Sequence, residues 1–177
     1  MSLDAQSLKE QVIKPTLNYL NERNQATVDL LLGTAAVETQ LRPLGIYSRV
    51  DEICGIGLYS ITQQQHLDIW DNFLAFDPEL ASQIRGLASQ RSFLTNPHEE
   101  LNTNLAYATA IAWCIYKRAR CLLSGSDVND LASCWSRYFR HQDSTKSLAL
   151  FCDSYNELVL LKPVKAAHQK HQAADAA

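Results

Sequence analysis

The acid best placed to do chemistry is Glu38. Within Val28–Leu41, the residues Leu31, Thr34, Ala35 and Glu38 recur at spacings of three, four and seven. Those spacings put them on one face of a helix, and Leu41 continues it. Glu38 therefore ends an apolar stripe, just ahead of a glycine-bearing segment. Burial against apolar walls disfavours the charged form of a carboxyl. A carboxylic acid kept protonated near neutral pH is the general acid that glycosidic bond cleavage needs. The same pattern also fits a glutamate that faces water at a helix end.

The second stretch is Cys54-Gly55-Ile56-Gly57-Leu58-Tyr59-Ser60-Ile61-Thr62. Two glycines one residue apart allow a tight turn, or close approach of the backbone to a ligand. It is not a phosphate loop, because no Lys-Ser/Thr follows and no strand–helix unit surrounds it. Other chemistries find little support. There is no GxSxG elbow, no HExxH and no EF-hand loop. The cysteines at 54, 114, 121, 134 and 152 are odd in number and form no CxxC pair. The expectation is reduced, mostly buried thiols, with no disulfide framework, no zinc site and no cofactor.

These residues must be positioned by helices. The chain has 177 residues, 46% hydrophobic and 20% charged, enough for one domain with a sizeable core. The balance of 16 basic and 19 acidic residues gives −3 and no electrostatic footprint for nucleic acid. No run of 18 apolar residues predicts a membrane span. The polar start, MSLDAQSLKEQ, lacks the apolar core of a signal peptide. The protein is therefore expected in the cytoplasm when made.

The periodicity is helical nearly throughout, so the expected class is all-α with about seven helices. Pro15 bends or restarts the first helix. Asn24 caps a second helix running to about Leu41. Residues 42–61 read as a long loop or short hairpin, and a loop of that length is usually functional. Thr62 and Gln65 form a capping box for a helix to about Ala75. Asp77-Pro78-Glu79 opens a helix to about Ala88, and Asn96-Pro97 repeats the signal. The latter starts the longest helix, 97–122, whose seam through Leu101, Leu105, Ala108, Ala112, Ile115, Ala119 and Leu122 makes it the expected central buried helix. Asp127 caps a helix to about Arg140, and a last one spans about 144–161. The domain is 1–162, and 163–177 is a flexible polar tail.

Together the motifs resemble the lysozyme-like superfamily, in its lytic transglycosylase and goose-type lysozyme branch. Ala35-Ala36-Val37-Glu38-Thr39 stands where that branch has "AAxxES", and Gly57-Leu58-Tyr59-Ser60-Ile61 where it has "GLMQI". Asn104-Leu105-Ala106-Tyr107-Ala108 resembles the helix that follows. His66-Leu67-Asp68-Ile69-Trp70 and Trp135-Ser136-Arg137-Tyr138 resemble an uncharacterised bacteriophage subfamily. The resemblance spans about residues 25–160.

It implies a lysozyme-like domain that cleaves peptidoglycan glycan strands, with Glu38 as single general acid/base. In such enzymes one glutamate acts first as acid and then as base, and the sugar's N-acetyl group helps form an anhydro product. Gly57, Leu58, Tyr59 and Ser60 would line the sugar groove; apart from the resemblance, apolar sugar faces stack on aromatic rings, and Tyr59, Tyr107 and Tyr138 are the candidates for that contact. Hydrolysis through two carboxylates would need a second acid, for which Asp51 and Glu52 are the candidates. Trp70, Trp113 and Trp135 fall within helices and suit the core. His66 reads as a helix-surface residue, with orientation of a loop carboxylate as the alternative. Ser60 replaces the usual glutamine, and the late "AYNAG" segment keeps only Tyr155-Asn156. The alternative reading is thus a catalytically degenerate lysozyme-like protein that interacts with other virion proteins.

Overall fold

In a computed structural model, residues 3–42, 55–123, 125–139 and 146–161 are described, with the backbone alone at 90–92. The candidate second acids Asp51 and Glu52, and the tail 163–177, lie outside these residues.

The chain opens with α1 (Ala5–Leu8), a π turn at Lys9–Ile13, and α2 (Lys14–Tyr19). Pro15 at the start of α2 has no N–H to donate, and the widened turn before it absorbs the loss. α3 (Gln25–Thr39) follows, its first turn capped by Asn24 Oδ1 accepting from the Ala26 N–H at 3.0 Å. α4 (Gln63–Asn72) begins with the expected capping box of Thr62 and Gln65. α5 (Pro78–Leu87) starts at Asp77, and α6 (Gln90–Thr95) follows. Then come a 3₁₀ turn at Pro97–Glu99, α7 (Glu100–Thr103), α8 (Leu105–Arg118), α9 (Val128–Tyr138) and α10 (Leu148–Leu158). No strand occurs among the described residues, only an isolated bridge between Ile56 and Ile61. The fold is all-α.

The helix expected over 97–122 is broken at Asn104. That residue is extended (φ −121°, ψ 97°) and caps α8 by accepting from the Tyr107 N–H at 3.0 Å. Its Nδ2 donates to the Leu87 carbonyl at 2.8 Å and to Glu100 at 2.9 Å. An asparagine whose side chain is taken by two partners within four residues and by Leu87 on α5 competes with the helical backbone. α8 also stops at Arg118, so the far end of the expected seam is lost and Leu122 is exposed. The centre of the fold is instead shared. α3 is buried almost continuously from Val28 to Val37, and α8 from Tyr107 to Tyr116. Thr34 Oγ1 and the Tyr116 hydroxyl join the two helices at 2.6 Å. Gly33 lets α10 pack closely, since a Cβ there would come within 2.5 Å of the Phe151 ring.

Two further expectations are corrected. Cys121 and Cys134 form a disulfide, with their Cα atoms 6.5 Å apart. Their 13-residue separation follows no motif, so only the packing of α9 beside the end of α8 reveals the pair. His66 is buried, because α4 turns it inward onto Tyr107 of α8.

Candidate functional site

Glu38 lies in the last turn of α3, where an apolar helix delivers a carboxylate to the edge of the core. Its side chain is 5% exposed. Oε1 accepts from the Trp135 indole N–H at 2.9 Å. Oε2 accepts from the Lys146 ammonium, which also donates to the Glu38 main-chain carbonyl at 3.0 Å. Lys146 thus pairs the carboxylate and satisfies one of the carbonyls left open at a helix C-terminus. Trp135 is fully buried on α9, with its ring 5.5 Å from that of Phe151 on α10. The Glu38 carboxylate is therefore held away from bulk water, between two donors. As held here, it accepts on both oxygens.

The glycine segment does lie beside it. Thr39 Oγ1 donates to the Leu58 carbonyl at 2.7 Å, joining the end of α3 to the 55–61 turn. That turn is closed by reciprocal hydrogen bonds between Ile56 and Ile61 and by Ser60 N–H to the Gly57 carbonyl at 3.0 Å. Both glycines are required by close backbone packing. A Cβ on Gly55 would lie 2.1 Å from the Ser60 carbonyl oxygen, and one on Gly57, 1.8 Å from that of Leu101. Gly57 also has φ +68°.

Left-handed backbone collects at this junction. Gln40 (φ 54°) and Leu41 (φ 58°) follow Thr39 directly, and Ser60 (φ 51°) stands in the facing turn. Non-glycine residues pay in strain for that conformation, which persists where surrounding structure enforces it. Here Gln40 and Leu41 close α3, with their N–H groups donating to Ala36 and Ala35.

The other sequence-derived contacts divide. Leu58 and Tyr59 are fully buried, and the Tyr59 hydroxyl pairs with Thr109 Oγ1 at 3.0 Å. Burial drives that phenol well above its ordinary range. Tyr107 is also buried and pairs with His66 Nε2 at 2.6 Å and the Trp70 indole at 2.9 Å. Neither tyrosine offers a ring face to a sugar in this arrangement. Tyr138 is half-buried, one turn beyond Trp135, with the Arg137 guanidinium 5.9 Å from its ring centre. The structure thus gathers Glu38, Thr39 and the Leu58 carbonyl, and places Tyr107 in a separate cluster. It adds Trp135, which sequence reading assigned to the core, and Lys146, which carries no local signal.

The separate cluster runs Trp70, Tyr107, His66, His98. The Trp70 indole N–H is shared between the Tyr107 oxygen at 2.9 Å and His66 Nε2 at 3.2 Å, and His66 pairs through Nε2 with the Tyr107 hydroxyl and through Nδ1 with His98 Nδ1 at 2.9 Å, the donor at each ring nitrogen following its tautomer. Burial, then the His98 charge, push His66 down to about 4. Among the described residues, no group of three or more His, Cys, Asp or Glu side chains could hold a metal ion. No helix among them is long and apolar enough to cross a membrane.

No protein-family model, curated protein or solved structure matches this chain.

Proposed function

We propose that this chain is a lysozyme-like glycosidase of phage or prophage type that cleaves peptidoglycan glycan strands with Glu38 as its general acid/base. The observation that carries the reading is the union of a buried Glu38 with the 55–61 turn through Thr39 and Leu58. It is the juxtaposition the motif order implies. The Glu38–Lys146 pair is then the resting arrangement. A glycan that displaces the ammonium leaves a buried carboxylate without its cation. As general acid, the freed carboxyl enters the first step with its proton on Oε2. Trp135 keeps Oε1 fixed while Oε2 carries the proton to the glycosidic oxygen. The resulting carboxylate serves as base in the second step. The test is product analysis of digested sacculi. Anhydro ends that depend on Glu38 mark a lytic transglycosylase, reducing ends a hydrolase, and intact strands refute the reading.

The Lys146 contact and the burial of Tyr59 and Tyr107 favour a second reading. In it the domain keeps the scaffold without catalysis and serves as a virion interaction protein. Its mark is wild-type protein that leaves sacculi intact, also after Ser60→Gln.

A further inference from the structure

The disulfide lies one residue from the candidate site. Cys121 is held by the end of α8: Arg120 turns left-handed (φ 52°), and the Cys121 N–H donates to the Tyr116 carbonyl at 3.2 Å. This is a Schellman-type closure, and it fixes Cys121 to a helix buried over most of its length. Cys134 is buried on α9, immediately before Trp135. The bond therefore ties the end of α8 to the helix whose indole holds Glu38 Oε1.

The remaining described cysteines are unlike this pair. Cys114 is buried within α8, and desolvation drives its thiol well above the usual range. The Cys152 thiol is also raised, first by burial and then by Asp153 and Asp127. Neither favours the reactive thiolate.

We propose that Cys121–Cys134 is a redox clamp on the Glu38 site, closed when the protein enters an oxidising compartment and holding the Trp135 indole on Glu38. The link to catalysis rests on the glycosidase reading; the clamp itself does not. Structural disulfides persist in the periplasm and on virion surfaces and are rare in reducing cytosol. Closure needs a disulfide of the exchange class, for which oxidised glutathione serves as probe. The thiolate of the more accessible Cys121 attacks one sulfur and expels one glutathione thiol. Cys134 then displaces the second glutathione from the mixed disulfide. Two protein thiols lose two protons and two electrons, and the oxidant is reduced to two thiols.

The experiment compares full-length protein after oxidised glutathione and after dithiothreitol. Differential alkylation with mass spectrometry should find Cys121 and Cys134 protected only in the oxidised form, and Cys114 alkylated after unfolding in both. The Trp135 near-ultraviolet circular dichroism band, assigned by Trp135→Phe, should weaken on reduction. The urea midpoint should fall, and Cys121→Ser should match the reduced protein under both conditions. If wild-type oxidised protein clears sacculi, reduction should slow it at least tenfold. Alkylation of both cysteines after oxidation overturns the clamp. So does a disulfide whose reduction leaves the Trp135 band unchanged. If neither form clears sacculi, the glycosidase reading fails, while alkylation and the Trp135 band still decide the clamp.

Discussion

The Trp135 indole donates to Glu38 Oε1 at 2.9 Å, across 97 residues of sequence. With Lys146 on the other oxygen, this fixes the carboxylate from two elements that sequence order keeps far apart. α9 supplies one donor and the residue before α10's Ser147 cap the other. The site thus depends on the docking of α9 and α10 onto α3.

Removing Lys146 should expose that dependence. Lys146→Met leaves a buried carboxylate without its cation and should cost about 2 kcal/mol, below the range for fully buried pairs because Lys146 is partly exposed. Urea unfolding measures it. The double variant with Glu38→Gln should recover most of the loss, since no buried charge then remains. A Lys146→Met protein as stable as wild type would show that the pair does not hold the site.

The turn should tolerate no side chain at Gly57. Gly57→Ala puts a Cβ against the Leu101 carbonyl oxygen at a left-handed position, and should destabilise by about 2–3 kcal/mol. Gly125, with open space around it, is the control, and Gly125→Ala should change stability by less than about 1 kcal/mol. Thermal unfolding of the two variants side by side checks this.

Acid should act through His66. Its folded value of about 4 lies below the ordinary 6.5, so the unfolded chain binds more protons between them. Stability is full above pH 6.5 and is lost as pH falls from 6.5 toward 4, by about 3 kcal/mol if His66 acts alone. His98 is lowered in the same direction by burial. His66→Gln should flatten this slope while carboxylate contributions persist. Urea midpoints at pH 7 and 4.5 for both proteins measure the difference, and equal slopes would contradict it.

Helix starts were legible because caps are local. Asn24, Thr62 with Gln65, Asp77 with Pro78, and Asp127 each signal through residues two or three places away. The motif order set Glu38 beside the 55–61 segment, whereas the contact between them runs through Thr39, and the Glu38 side chain turns to α9 and Lys146. The break at Asn104 was not, because an uninterrupted apolar period hides a side chain that caps its own helix. His66 looked like surface because Gln63, Gln64 and Asp68 flank it, and only Tyr107 of α8 explains its burial. Lys146 and the Cys121–Cys134 pair carry no local pattern. Their partners are chosen by how α9 and α10 dock.

The most direct measurement is turbidity loss of purified sacculi with oxidised wild type beside Glu38→Gln, both verified as folded. The account predicts clearing by wild type and a loss of at least about 100-fold in the variant, the scale of a missing general acid. Undiminished clearing by Glu38→Gln, or no clearing by wild type across pH, would contradict it.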